Sequence, residues 1–119
     1  MRDFRKLKVW EKAHRFVLAA YVETRAFPRE ELYGLTSQLR RSAMSIPSNI
    51  AEGCRRESPR EFARFLDISA GSASEAEYQL LLAHDLHFLN EDAYNRLAHD
   101  VREIKQMLTS LIQKVKRNN

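Results

Sequence analysis

An antiparallel, up-down four-helix bundle, all-α and a single domain, is the fold this sequence predicts, and three observations carry the prediction. Apolar residues recur at steps of three and four along four separate stretches, the spacing that lines one face of a helix. Only three glycines and three prolines occur in 119 residues, which leaves little room for a turn-rich β architecture. Proline and capping signals divide the stretches into segments with short connections, as between antiparallel neighbours in a bundle. With 44% hydrophobic and 30% charged residues, residues 1–119 can bury one core without metals or disulfides.

The first seven residues read as an extended, charged arm with Phe4 and Leu7 as anchors. The first helix spans about 8–26, its face traced by Val9, Trp10, Ala13, Phe16, Val17, Ala20 and Tyr21. Phe27-Pro28 ends it, because the residue before proline disfavours the helical conformation. A connection with a short turn through Arg29-Glu30-Glu31 leads to the second helix, 34–53, whose stripe is Leu35, Leu39, Ala43, Ile46 and Ile50. Pro47 interrupts that stripe without an N–H to offer Ala43, so the helix is expected to kink or break there, with Ser45, Ser48 and Asn49 placed to bond the freed backbone groups. Gly53 is a candidate left-handed terminator.

Ser58-Pro59-Arg60-Glu61 has the form of a capping box and opens a third helix, 58–87, with Phe62, Phe65, Leu66, Ser69, Ala73, Ala76, Leu80 and Ala83 on one side. Its run of small residues from Ser69 to Ser74 reads as a place where another backbone comes close. Asn90 caps the fourth helix, 91–116, in which Tyr94, Leu97, Val101, Ile104, Leu108, Leu111 and Val115 form a coiled-coil-like seam. The predicted core is Val9, Phe16, Leu35, Leu39, Ile46, Ile50, Phe62, Leu66, Leu80, Leu97, Val101, Ile104, Leu108 and Leu111. Leu18, Met44, Ile68, Leu81 and Leu82 fall off the stripes and leave apolar surface for a partner, a homo-oligomer being the natural solution.

The stretch YGLTSQLRRSAMSIPSNIAEG, with LKVWEKAH before it and EFARFLDISAGSASE after it, closely resembles the bacterial four helix bundle proteins. That group includes proteins encoded in intervening sequences of large-subunit ribosomal RNA genes and the accessory protein of diversity-generating retroelements. The resemblance runs from about Phe4 to at least Leu89. It implies a homopentameric ring of four-helix protomers, with relatives in retroelements that bind RNA and a reverse transcriptase.

Cys54 is the only cysteine, which excludes an intramolecular disulfide and favours a reducing compartment. With no apolar run long enough for a signal or a membrane span, the expected location is the cytoplasm, with no membrane partner. The net charge of +4 is unevenly spread: residues 40–64 hold six arginines and three acidic residues, residues 65–95 six acidic residues and no Lys or Arg. The arginine segment and the acidic third helix are therefore candidate surfaces for contacts between subunits, or the first for an acidic partner.

Catalytic and metal chemistry find little support. Glu11 and His14 match the Glu-x-x-His element of di-iron bundles once, and no second copy exists. His84, Asp85 and His87, with His99 and Glu103 on the next helix, have zinc-ligand chemistry but read better as polar residues near a helix turn. Cys54 has Arg55 and Arg56 beside it but no histidine base nearby in sequence, and phosphate-binding glycine loops are absent. No catalytic residue, cofactor or metal is expected. The informative group is Arg40, Arg41, Arg55, Arg56, Arg60 and Arg64. These suit phosphate, or they pair with Glu52, Glu57, Glu61 and carboxylates of another subunit; both readings stay open. The expected function is a non-enzymatic oligomeric scaffold that binds structured RNA or a ribonucleoprotein, the alternative a protein-interaction module whose arginines hold the oligomer together.

Overall fold

Four helices, α1 (Lys8–Thr24), α2 (Leu35–Cys54), α3 (Pro59–Asp85) and α4 (Glu91–Arg117), make up the chain in a computed structural model that describes residues 2–118. Two 3-10 turns, Phe4–Lys6 and Arg29–Glu31, complete it, and among the described residues there is no strand. α2 packs on α3, α3 on α4, and α1 on both α2 and α4, so α1 and α3 are diagonal. Cross-links fix the up-down order. Thr24 meets Arg40 and Tyr21 meets Met44; Ser42 meets Glu75 and Ser45 meets Ser72; Glu77 meets Arg102, and Lys12 meets Glu103.

The seam residues lie where the spacing predicts. Of the predicted core, all but Leu111 are buried, and Leu111 is half-buried against the rest. Phe16, Phe62, Leu39, Ile46 and Ile104 are among the largest fully enclosed side chains. Off the stripes, Leu18, Met44, Ile68 and Leu81 are exposed, whereas Leu82 packs on the core.

Where helices begin and end, side-chain chemistry is visible. Ser58 Oγ accepts from Glu61 N at 3.0 Å and Asn90 Oδ1 from Ala93 N at 2.8 Å, each a predicted N-cap. The capping box is half made, because the Glu61 carboxylate turns to Arg64 instead. α1 stops at Thr24, two residues before the predicted end; the Thr24 hydroxyl bonds back to the Ala20 carbonyl at 2.8 Å and Phe27 turns into the core.

Three local expectations need correction. The arm is not extended: Asp3 Oδ1 accepts from Arg5 N at 3.1 Å and caps a 3-10 turn, while Phe4 and Leu7 anchor it as expected. α2 runs through Pro47 as one helix, so of the expected kink or break the break does not occur. Asn49 Nδ2 bonds the Ser45 carbonyl at 2.8 Å, and from α3 Ser69 Oγ bonds the Ile46 carbonyl at 2.9 Å, while Ser48 is exposed. Gly53 does not terminate the helix; it lies within α2, and among the described residues the left-handed one is His87, φ 65°, at the end of α3.

Candidate nucleic-acid interface

The up-down order brings the start of α1, the end of α2, the start of α3 and the end of α4 to one end of the bundle. Onto this end the N-terminal arm is folded. Arg2 N donates to the Cys54 carbonyl at 3.2 Å, and the Arg2 guanidinium lies 4.1 Å from the centre of the Phe62 ring. Phe4 packs against Trp10, ring centres 4.8 Å apart, and carries the Arg5 guanidinium at 4.6 Å. Between arm and α2 opens a cleft walled by Arg2, Asp3, Phe4, Arg5, Ala51 and Arg55. At the same end, Arg60 and Lys116 border a groove together with Pro59 and Ala63.

Of the six arginines read from the sequence, four gather here. Arg55 and Arg60 are exposed, and among the described residues neither has an ion-pair partner. Arg56 pairs with Glu52 at 2.9 Å and Arg64 with Glu61 at 3.2 Å. Both guanidiniums also lie against the Phe65 ring, at 4.9 and 4.7 Å. The other two belong elsewhere. Arg40 donates its Nε to Thr24 Oγ1 at 2.9 Å and covers the Tyr21 ring, and Arg41 is exposed on the outer face of α2. Fifteen residues at 1.5 Å per residue separate Arg40 from Arg55 by roughly 22 Å along the helix.

Arg2, Arg5, Lys114 and Lys116 were not in the sequence-derived set. Their signal was present in the topology, since an even number of antiparallel helices returns both termini to the end that carries the α2–α3 turn. The opposite end is richer in acid: Glu30, Glu31, Asp85, Glu91 and Asp92 flank its turns, against Arg25 and Arg29. Within α3, Glu77 accepts from Arg102 and Lys105 at 2.8 Å each, and those bonds hold its carboxyl below the usual carboxylate range. Glu77 is thus satisfied within its own chain.

His84 and His87 border one hollow with Asp85 and Glu91 at the α3–α4 turn, and among the described residues their ligand atoms do not converge with those of His99 and Glu103. His84 Nε2 lies 2.9 Å from Glu91 Oε1 and its ring stacks on Tyr94, the hydrogen bond to Glu91 being the main cause that raises the imidazole pKa. His99, Asp100 and Glu103 do converge, their ligand atoms all within 4.8 Å of one another, but Glu103 is already held by Lys12 at 2.6 Å. His14 stacks on Trp10 and Glu11 pairs with Arg15. Cys54 is buried, and that burial pushes its thiol pKa up, opposite to what an activated nucleophile needs.

Four packed helices with cations gathered at one end define an all-α four-helix bundle. More particularly, the model of the 23S rRNA-intervening sequence protein family matches residues 5–110, and the chain belongs to that family. Its fold is similar to the crystal structure of a protein of unknown function from the S23 ribosomal protein family of Bacteroides thetaiotaomicron. The two are 27% identical with a TM-score of 0.79, over 87% of this chain and 97% of the other. No curated protein matches the chain. Among the described residues, no helix is long and apolar enough to cross a membrane.

Proposed function

We propose that this protein is a non-enzymatic, oligomeric scaffold whose basic end binds the phosphate backbone of structured RNA or of a ribonucleoprotein. The observation that carries the reading is the gathering of Arg55, Arg60 and Lys116, none ion-paired among the described residues, beside the arm's Arg2 and Arg5. Cations left without internal carboxylates keep their charge available to an external polyanion, and each phosphate they neutralise releases counterions. The reference to 23S rRNA in the family's description makes RNA the polyanion to test first. Arg40 and Arg41 lie too far along α2 to engage the same phosphates as this end.

Replacing Arg55, Arg60 and Lys116 together with Gln tests the reading by titration against a hairpin RNA at several salt concentrations. Affinity is expected to fall, and the slope of log affinity against log salt to shrink by about 1 for each phosphate that is no longer neutralised. Helicity and assembled mass should not change, because these side chains are exposed. Should the variant dissociate into folded monomers, the cations hold subunits together and the protein-interaction reading replaces this one.

A further inference from the structure

We infer that the N-terminal arm forms half of a phosphate-binding cleft, in which Arg2 and Arg5 on the arm face Arg55 at the end of α2. This rests on the RNA-binding reading above and assigns the arm a part in it. The cleft is open and about 390 Å³ in volume; Arg2, Arg5 and Arg55 border it together with Asp3, Phe4 and Ala51, and its accessible lining is more apolar than polar. Its net charge of about +2 suits a phosphodiester or a terminal phosphate, and arginine's planar fork bonds phosphate oxygens in pairs.

The arm is built to hold these charges in place. Its backbone is tied to α2 through Arg2 N and the Cys54 carbonyl, and Arg2 Nη1 reaches the Arg56 carbonyl at 3.5 Å. Arg5 is held from two sides. Asp3 Oδ1 lies 3.2 Å from its Nη1, and the Phe4 ring supports its plane. Asp3 therefore does two opposed things: it orients Arg5 and caps the turn, and it places a negative charge beside the phosphate.

That opposition provides a test that a structural role for the arm would not pass. An amide at position 3 still offers an oxygen to Arg5 N and to the guanidinium, so Asp3→Asn keeps the turn and removes the repulsion. On the full chain, with a hairpin RNA titrated at several salt concentrations, Asp3→Asn should bind several-fold more tightly, and Arg5→Gln should bind more weakly with a salt slope smaller by about 1. Inorganic pyrophosphate should compete with the RNA for wild type and less well for Arg5→Gln. Competition by a 5′-phosphorylated oligonucleotide well beyond that of its dephosphorylated form would assign the cleft to a terminal phosphate; equal competition assigns it to the backbone. If Arg60→Gln with Lys116→Gln weakens binding while both arm variants bind as wild type, the cleft is overturned and the basic end stands. If no variant changes RNA binding, the cleft and the RNA reading fall together.

Discussion

At the scale of single residues, several side chains have roles that their chemistry alone does not announce. Gly53 is the clearest. A Cβ there would stand 2.9 Å from Phe65 Cβ and 3.0 Å from Phe62 Cδ1, so glycine is required by the close approach of α2 and α3. His87 takes the left-handed position that closes α3, with Phe88 N on the Ala83 carbonyl and His87 N on the His84 carbonyl, a Schellman arrangement made without glycine. The adjacent His84 yields a pH prediction. Glu91 raises its folded pKa, with Asp85 adding to the effect from 3.4 Å. The pair therefore stabilises the α3–α4 turn fully below the unfolded histidine value of about 6.5 and loses that contribution as pH rises through the folded value. Glu91→Gln should lower the melting temperature more at about pH 6 than at about pH 8.5, because the loss of a carboxylate from the first turn of α4 acts at both pH values while the His84 contribution acts only at the lower. Equal losses at both would remove the pair from the stability of the turn.

At the scale of elements, periodicity and caps carried most of the information, and tertiary contacts decided the rest. The α4 seam is strict enough that Leu97, Val101, Ile104 and Leu108 could be placed in the core from spacing alone. Pro47 could not be resolved in the same way. Whether a proline breaks a helix depends on what surrounds it, and here Pro47 is buried, with the α3 residues Ser69 and Ser72 bonded to Ile46 and Ser45 of α2 just before it. The run of small residues in α3 is the complementary half of that feature, which fits its reading as a packing site. The arm was misread because three residues of 3-10 turn have too short a period to show, and its stability comes from Phe4 on Trp10 and Arg2 on Phe62. Ile104→Ala should cost about 2–5 kcal/mol, as expected for truncating a fully enclosed aliphatic side chain. Chemical denaturation measures this, and a loss well under that range would mean that the α4 seam relaxes around the missing methyls.

For the whole molecule, topology turns a dispersed set of charges into a polarity, with a basic end and a more acidic opposite end. Linear charge counts find the arginine-rich segment but group with it Arg40 and Arg41, which sit in the other half; they rank the basic arm from Arg2 to Lys12 second and do not join the C-terminal cations to it. The same topology bears on assembly. Leu18 and Val22 are each 53% exposed on α1, and Tyr78 is 60% and Leu81 42% exposed on α3. Because α1 and α3 are diagonal, these apolar faces look away from each other. Two different faces on one protomer suit a head-to-tail interface, which closes into a ring when the rotation allows. They stand beside the sequence-derived candidates, of which Glu77 on α3 and Arg56 and Arg64 at the basic end are already paired within the chain. We therefore expect a homo-oligomer, five protomers on family resemblance, with light scattering giving a multiple of the 13.9 kDa chain mass. Leu18→Ser with Leu81→Ser removes apolar area from both faces without altering charge, and should yield folded protein of lower mass. In a ring whose protomers run parallel to its axis, every basic end faces the same side, so an RNA engages several at once. The serine variant should then lose affinity by on the order of 100-fold although its arginines are intact, because linked sites gain through effective concentration. A wild type that is monomeric at all concentrations would overturn the assembly, and a serine variant that falls to monomers yet binds RNA as wild type would show that one basic end suffices.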